Sequence, residues 1–248
     1  MKPYTRHRLI LDTVGDRDAV SIDELITATG ASPSTVRRDI KTMEEAGQLV
    51  SLRGGAVRLD DRPVELPVFA KSLIKKAEKA AIGRAAAELV HDGDTVYLDS
   101  GTTATSMIQH LRGIRVHVIT SNTQVFALPI DKKVQITVLG GDYLNEIGSI
   151  VGAMTDRMLG DLFFDKAFLG ANGISRDAGV TTFDIREANK KRLAHEHSRE
   201  TFVLADGSKL GQVSLCRSLD LSSATIITDE YADVLTAARA YLVAQATQ

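Results

Sequence analysis

SPSTVRRDIKTMEEAGQLVSLRGGA, residues 32–56, has the pattern of a short helix followed by a tight β-hairpin. Ser32 is a typical N-cap residue, and Pro33 occupies the first helical position, where its missing N–H costs nothing. Apolar side chains recur at i, i+4 and i+7 and predict the buried face of this helix: Val36, Ile40 and Met43. Apolar runs on both sides of the glycine pair 54–55 predict a two-stranded wing.

Two further helices are predicted upstream of this stretch. The first has an apolar face within residues 9–14. The second begins at a capping box, in which the Ser21 hydroxyl and the Glu24 carboxylate each satisfy a free backbone N–H, and it ends at Gly30. Two helices, a turn, a third helix and a wing in this order predict a winged helix-turn-helix over residues 1–58.

The third predicted helix carries polar side chains opposite its buried face. Hydroxyl groups at a helix N-terminus can hold phosphate oxygens, and an arginine in the major groove can bridge guanine O6 and N7. Arg53, on the wing, is placed to reach along the DNA backbone or into the minor groove. We therefore predict a set of DNA-contacting residues: Ser32, Ser34, Thr35, Arg37, Arg38, Lys41 and Arg53.

The charge of the chain limits how it can bind nucleic acid. The 248 residues have a formal net charge of -2, so bulk charge does not draw the protein to DNA. Residues 1–58 carry a net charge of +1, with cations clustered around the third helix and the wing. Local placement must therefore supply the binding. A basic face that serves a protein–protein contact is the alternative, and a salt-dependent gel shift separates the two.

The sequence pattern changes after the wing. Residues 59–75 include DDRPVELP and are predicted to be a linker. Helical stretches then alternate with short apolar runs, which predicts an α/β domain over 76–248 with a largely parallel sheet. The predicted strands are 95–98, 116–120, 135–139, 166–170, 201–205 and 224–228. Apolar residues at helical spacing predict a C-terminal helix over 231–246.

Polar and glycine-rich loops follow these strands, at the edge where parallel α/β sheets bind ligands. The loop 99–103 leads into a helix and offers backbone N–H groups, threonine hydroxyls and a glycine that allows close approach, which predicts an anion site. Further loops of this kind are 121–122, 140–141, 172–173 and 206–209. One anion loop among several polar loops predicts a ligand with one phosphate and several hydroxyls.

Several motifs resemble the DeoR-type bacterial transcription regulators. STVRRDIKTMEEAGQLVSLRGGA is similar to their DNA-binding domain, and KAAIGRAAAELVHDGDTVYLDSGTT, FLGANGIS, GVTTFDIREANKK and LADGSKLG are similar to their effector domain. The resemblance implies a ribose-5-phosphate-isomerase-like fold and a sugar-phosphate ligand. The residues expected to bind this effector are Lys79, Asp99, Ser100, Gly101, Thr102, Thr103, Ser121, Asn122, Asn172, Glu187 and Lys209.

The same resemblance raises an alternative, a sugar-phosphate isomerase with an accessory DNA-binding domain. An isomerase needs carboxylates near the sugar carbons for proton transfer. In GANGIS, Asn172 and Ser175 stand where acids are expected, and neither is a general base near neutral pH. We therefore predict a receptor with no catalytic residues. Turnover of pentose or hexose phosphates by the purified protein decides between the two.

Other chemistries lack their sequence patterns. GxGxxG and GxxxxGK[ST] are absent, which argues against dinucleotides and nucleoside triphosphates, and no cofactor is predicted. The scattered histidines lack metal-ligand spacing, so no metal site is expected. Cys216 is the single cysteine and cannot form an internal disulfide, which fits a reducing compartment. No apolar run has the length of a membrane span, so a cytoplasmic location without a membrane partner is expected.

Together these patterns predict a sequence-specific transcriptional regulator, and the resemblance to DeoR-type regulators implies a repressor of a sugar-utilisation operon. The composition, 44% hydrophobic and 25% charged residues, is typical of a globular protein. The predicted partners are double-stranded operator DNA and a phosphorylated sugar effector. Because operators are read by paired DNA-binding domains, a homodimer or homotetramer is expected.

Overall fold

The structure, a computed structural model, describes residues 2–15, 17, 19–45, 48–52, 55–59 and 67–245. Within these residues the chain divides into an N-terminal unit, Met1–Lys76, and a C-terminal unit, Ala77–Gln248. Among the described residues, no helix combines the length and the apolar character needed to cross a membrane.

Within its described residues, the N-terminal unit has the three helices and the hairpin in the predicted order, together with one further short strand and one further helix. Its helices are α1 (Pro3–Val14), α2 (Ile22–Thr29), α3 (Pro33–Glu45) and α4 (Val68–Leu73). Its strands are β1 (Val20–Ser21), β2 (Leu49–Leu52) and β3 (Ala56–Leu59), paired antiparallel in the order β1-β3-β2. These elements make a winged helix-turn-helix. Arg53 of the wing, predicted to contact DNA, lies outside the described residues.

The predicted caps define where the helices of this unit begin and end. The backbone N–H of Glu24 donates to Ser21 Oγ at 3.2 Å, and the Ser21 N–H donates to Glu24 Oε2 at 2.9 Å, which completes the capping box. Gly30 ends α2 with a left-handed φ of 62°, a conformation that glycine adopts without steric cost. At the start of α3, the Thr35 N–H donates to Ser32 Oγ at 3.3 Å.

Apolar side chains hold the N-terminal unit together. The predicted inner face of α3 is buried against residues from α1, α2 and the wing, in a core that includes Ile10, Leu25, Val36, Ile40, Met43 and Val57. Ala70 and Leu73 of α4 are buried in the same core. Part of the segment predicted as a linker, 59–75, is therefore a helix that packs with this unit, because its apolar residues recur at helical spacing. Residues 60–66 lie outside the described residues.

A parallel sheet forms the centre of the C-terminal unit. In the described part of the chain it has seven strands, all paired in parallel: β4 (Thr95–Leu98), β5 (Val116–Thr120), β6 (Val134–Val138), β9 (Phe164–Gly170), β12 (Ser198–Leu204), β14 (Thr225–Thr228) and β15 (Ala240–Val243). Their spatial order is β15-β14-β12-β9-β4-β5-β6. The strands expected from the sequence are all present in this sheet.

The sheet is covered on both faces, because neighbouring residues of each strand point to opposite sides. Leu98 and Phe168 join one core with α5 (Lys76–Ala87) and α6 (Thr102–Met107). Tyr97 and Leu169 join the other core, with α7 (Ala153–Gly160) and α8 (Ile185–Glu196). Smaller antiparallel sheets pair β7 (Asp142–Leu144) with β8 (Ser149–Val151), and β11 (Gly179–Thr182) with both β10 (Gly173–Ser175) and β13 (Cys216–Leu219).

The prediction of a helix over 231–246 is wrong within its described part. Residues Asp233–Ala237 form a short 3₁₀ turn, and Ala240–Val243 form β15, which pairs with β14. The alanines of this segment favour a helix, but Tyr241 and Val243 are good strand formers, and the segment Ala240–Val243 completes the hydrogen bonds of a sheet edge. Pairing with the sheet therefore outweighs the local helix preference.

Candidate functional site

The first candidate surface is the outer face of α3. Ser32, Ser34, Arg37, Arg38 and Lys41 are all exposed, and Thr35 is half-buried. The hydroxyl groups gather at the N-terminus of the helix, since Ser32 Oγ lies 3.1 Å from Ser34 Oγ and 2.8 Å from Thr35 Oγ1. A helix N-terminus with hydroxyls and adjacent arginines is suited to a phosphate backbone. The structure thus brings together the described members of the predicted DNA-contacting set.

Asp39 lies on the inner side of α3, and no sequence pattern marks it as a functional residue. Its buried carboxylate accepts a hydrogen bond from Arg6 Nε at Oδ2 and another from Arg6 Nη2, 3.0 Å from Oδ1. His7 Nε2 lies 3.0 Å from Oδ1. Burial alone would raise the pKa of Asp39, but the hydrogen bonds from Arg6 and His7 hold it below its usual range. The carboxylate is therefore ionised and paired with α1.

The second candidate site lies where the central strands of the C-terminal unit end. The chain leaves β4 through Asp99 and Ser100, and α6 begins after Gly101, whose carbonyl accepts the N–H of Thr105 at 2.9 Å. The Gly170 N–H donates to Asp99 Oδ2 at 2.7 Å. A Cβ on Gly170 would lie 3.3 Å from that oxygen, so a residue without a side chain suits this position.

A buried ion-pair network holds this loop to α8. Lys191 Nζ donates to Asp99 Oδ2 and lies 3.7 Å from Glu187 Oε2. Glu187 Oε1 accepts from Lys190 Nζ and from Ser149 Oγ, each at 2.7 Å. Ser100 Oγ lies 3.5 Å from Glu187 Oε2. The structure thus brings together three predicted residues and adds others that sequence reasoning missed. We call this set the buried network: Asp99, Ser100, Ser149, Glu187, Lys190 and Lys191.

The charges of the buried network stabilise one another. Burial would raise the pKa of Glu187, but the ammonium groups of Lys190 and Lys191 hold it well below its usual range. Burial would lower the pKa of Lys191, but the carboxylates of Asp99 and Glu187 raise it above its usual value. Glu187 is therefore ionised near neutral pH. A carboxylate with so low a pKa is a weak proton acceptor.

Ser121 and Asn122, after β5, are fully buried. Ser121 Oγ lies 3.3 Å from the Tyr97 hydroxyl. Asn122 Oδ1 accepts the Gln124 N–H at 2.8 Å, and its Nδ2 donates to Thr105 Oγ1 at 2.7 Å. These contacts tie the end of β5 to α6. Both residues thus hold the framework of the loops.

Asn172 lies after β9, on the other side of β4 from Ser121. Its Oδ1 accepts a hydrogen bond from Thr182 Oγ1 at 2.9 Å, and its N–H donates to the Thr181 carbonyl at 2.9 Å. Ser175 Oγ accepts the Ala178 N–H at 3.0 Å. Where isomerase acids were expected, the structure has an amide and a hydroxyl that serve the β10–β11 hairpin.

A pair of lysines adds positive charge near the loop that follows β12. Lys79 of α5 is buried, and its carbonyl accepts the Ser106 hydroxyl of α6 at 2.7 Å. Burial lowers the pKa of Lys79 to about 8, the Asp206 carboxylate acts against this shift, and the positive charge of Lys209 adds to it. Asp206 is buried and caps the short turn Gly207–Lys209. The positive charges of Lys79 and Lys209, both predicted from the sequence, are therefore close enough to repel one another.

The members of the buried network that were not predicted, Ser149, Lys190 and Lys191, differ in whether a local sequence pattern marks them. Lys190 and Lys191 follow Glu187 at i+3 and i+4, a spacing that signals ion pairs on a helix. This spacing does not reveal burial, because such pairs usually face solvent. Ser149 lies far from Glu187 in sequence, and no local pattern marks it. Within the described residues, no group of three or more His, Cys, Asp or Glu side chains is placed to hold a metal ion.

Comparison with known proteins identifies the family. The model of the DeoR-like helix-turn-helix domain matches residues 6–62, and that of the DeoR C-terminal sensor domain matches residues 74–230. The chain is 39% identical to the HTH-type transcriptional regulator FruR of Bacillus subtilis over 226 residues, which is 91% of this chain and 90% of that protein. It is 32% identical to the lactose phosphotransferase system repressor of Staphylococcus epidermidis, over 92% of this chain and 93% of the repressor.

Two further matches have lower sequence identity. The glycerol-3-phosphate regulon repressor of Escherichia coli is 29% identical over 94% of this chain and 92% of its own length. Among solved structures, ribose 5-phosphate isomerase A of Methanocaldococcus jannaschii matches 55% of each chain with a TM-score of 0.40 and 21% identity. The winged helix-turn-helix, the sensor-domain match and the relatives agree along most of the sequence: this chain belongs to the DeoR family of DNA-binding transcriptional regulators.

Proposed function

We propose that the protein is a cytoplasmic repressor of a sugar-utilisation operon, and that a phosphorylated sugar bound to its C-terminal unit controls its hold on operator DNA. The observation that carries the proposal is that one chain combines two features. The first is the exposed face of α3 with its arginines, and the second is a unit that matches the DeoR sensor domain and has Lys79 and Lys209 near the end of its sheet. Relatives named as repressors of a lactose phosphotransferase system and of a glycerol-3-phosphate regulon support a sugar-related effector. A homodimer or homotetramer would supply the paired DNA-binding domains.

The outer face of α3 is proposed to read the operator. Arg37 and Arg38 are exposed near the start of the helix, beside the hydroxyls of Ser32, Ser34 and Thr35. In this arrangement an arginine reads a base edge, and the hydroxyls and backbone N–H groups fix the register on phosphates. Arg53 of the wing is proposed as a further contact.

The loop that starts α6 and the lysines beside it are proposed to bind the phosphorylated sugar. Gly101, Thr102 and Thr103 would approach the phosphate, with Lys79 and Lys209 supplying positive charge. Asp99, Ser121 and Asn122 are fully buried and hydrogen-bonded within the protein, so we assign them to holding the loop in place. Asn172 would line the sugar side, and Glu187, which is buried and engaged by Ser149 and Lys190, is assigned with Asp99 to holding the loop in place.

The contacts of Asn172 and Glu187 support a receptor over an isomerase. Glu187 is engaged by lysines that keep its pKa low, and Asn172 has no acidic proton to exchange near neutral pH. Aldose–ketose isomerisation requires a group that removes a proton from carbon. Incubation of the purified protein with pentose and hexose phosphates is expected to give no isomerised product, and turnover above background would contradict this assignment.

Replacing Thr102 and Thr103 together with valine is expected to abolish the response to the effector. Valine keeps the shape of threonine and removes the hydroxyl that would hold the phosphate, so operator binding without effector stays within about twofold of wild type. Operator affinity is measured by fluorescence anisotropy with and without a panel of phosphorylated sugars. Thr95→Val, at the opposite end of β4, is the matched control. A double variant that responds like wild type would contradict the proposed phosphate loop.

Effector affinity is expected to fall as the pH rises above about 8. A bound phosphate favours the ammonium form of Lys79, whose pKa is about 8 in the free protein, so binding is full below this value and weakens about tenfold per pH unit above it. Below pH 6 the phosphate itself gains a proton and binding weakens again. Calorimetric titration of the effector from about pH 5 to about pH 10 measures the loss of affinity at both ends of the range.

The control for this pH dependence is Lys79→Arg, because arginine stays charged over the whole range. In this variant the loss of effector affinity at alkaline pH is expected to begin only above about pH 9. If wild type and Lys79→Arg lose affinity at the same alkaline pH, Lys79 does not contact the phosphate.

A further inference from the structure

The pairing of Asp39 with α1 lies directly behind the outer face of α3. Asp39 follows Arg38 in the helix, so their side chains diverge by about 100°. Arg38 is exposed, whereas the Asp39 carboxylate is buried against Arg6 and His7. Any rotation of α3 about its axis that moves Arg38 must therefore strain or break these hydrogen bonds.

The inner face of α3 packs into its unit through apolar side chains as well. Val36, Ile40 and Met43 are buried in the core, and apolar contact is largely non-directional. The Arg6 guanidinium, by contrast, donates through Nε and Nη2 to both oxygens of one carboxylate, a planar fork with a fixed orientation. His7, the next residue of α1, places its Nε2 3.0 Å from Asp39 Oδ1. The ion pair is thus a directional element of the contact between α3 and α1, and near the C-terminus of α3 the Ser51 N–H of β2 donates to Glu44 Oε1 at 2.6 Å.

A small rotation of α3 would have a large effect at the DNA. With side chains about 5–6 Å from the helix axis, a turn of about 20° displaces them by about 2 Å. A bidentate contact with a base edge does not survive a displacement of that size, while attraction to the phosphate backbone does. Buried ion pairs, for their part, contribute little net stability compared with well-packed apolar residues.

We propose that Asp39 is a positioning residue: its pairing with Arg6 and His7 sets the rotation of α3 and thereby the discrimination between operator and unrelated DNA. The proposal rests on the proposed role of α3 in reading the operator. It assigns to this buried pair a role in specificity and little role in the free energy of unfolding.

The test uses the full-length protein and Arg6→Met combined with Asp39→Leu, which replaces the ion pair by apolar side chains of similar size. The specific probe is a duplex that wild type enriches from a randomised pool, and the non-specific probe is an unrelated duplex of the same length. Affinity for the specific probe is expected to fall about tenfold, with non-specific affinity within about twofold of wild type. The melting temperature is expected to stay at or above that of wild type.

Two reference variants separate the possible outcomes. Arg38→Ala tests the role of α3 itself, and Arg17→Met removes an exposed ion pair with Glu24 from the same unit and is expected to change neither affinity. If Arg38→Ala lowers specific affinity and the double variant keeps the full ratio of specific to non-specific affinity, the positioning role is overturned and the role of α3 stands. If Arg38→Ala changes nothing, the role of α3 fails and the positioning role with it.

A third variant covers the case in which the double variant does not fold. Arg6→Lys keeps the charge but replaces the fork by a single ammonium group. Its ratio of specific to non-specific affinity is expected to fall about threefold, since orientation is weakened and the charge is kept. If Arg6→Lys keeps the wild-type ratio of specific to non-specific affinity while Arg38→Ala loses specific affinity, the proposal is overturned.

Discussion

Replacing Arg38 with alanine is expected to weaken binding to the enriched specific duplex by about 5- to 150-fold. Arg38 is exposed on the face of α3 opposite its buried residues, where a guanidinium can bridge the O6 and N7 atoms of guanine, a contact worth about 1–3 kcal/mol. Affinity for an unrelated duplex is expected to change by less than about threefold, because most non-specific binding comes from the phosphates. Anisotropy titrations with both duplexes, at one salt concentration, measure the two effects.

Arg17→Ala is the matched control for Arg38→Ala. Arg17 is an exposed cation of the same unit, and its Nη1 lies 2.9 Å from Glu24 Oε1. Its removal is expected to leave both affinities within about twofold of wild type, as is usual for an exposed ion pair. Equal losses in the two variants would show that charge alone matters, and would contradict base reading by Arg38.

Replacing Lys191 with methionine is expected to lower the free energy of unfolding of the C-terminal unit by about 3–5 kcal/mol. Lys191 is buried and paired with Asp99, so its removal leaves a buried carboxylate that retains only the Gly170 N–H among the partners described above. For a unit of this size the melting temperature is expected to fall by about 6–20 °C. Calorimetry of the full-length protein follows the transition.

Two further variants test the reason for this loss. Asp99→Asn combined with Lys191→Met removes the uncompensated charge and is expected to recover most of the melting temperature. Arg115→Met removes an exposed ion pair with Asp92 in the same unit and is expected to leave the melting temperature nearly unchanged. If Lys191→Met is no more damaging than Arg115→Met, the buried network does not hold the loop after β4 to α8.

The order of elements could be predicted because its signals are local. The Ser21–Glu24 capping box, the left-handed Gly30 and the apolar spacing of α3 each depend on residues within one helix. The strands of the parallel sheet are short apolar runs separated by helical patterns, which local sequence also records. The helix prediction for residues 231–246 was wrong for the opposite reason, because strand β15 depends on its pairing with β14.

The candidate site could be predicted only in part, since its connections depend on the fold. Loop residues 99–103 carry a recognisable pattern, and the structure brings Ser100 close to the predicted Glu187. That Lys190 and Lys191 are buried could not be read from their spacing, which is shared with surface helices. Asp39 sits in a run of charges that looks solvated, and its partner Arg6 is 33 residues away. The assignment of these loops to an effector stays a prediction.

The most direct test of the central claim is a linkage measurement on one preparation of the protein. The claim is that a sugar phosphate bound to the C-terminal unit changes the affinity of the N-terminal unit for operator DNA. The dissociation constant for the enriched duplex, measured with and without each phosphorylated sugar that binds, is predicted to change at least about fivefold for one of them. The same change in the affinity for that sugar is predicted when DNA is present, as linkage requires. If every sugar phosphate that binds leaves the operator dissociation constant unchanged, the account is contradicted.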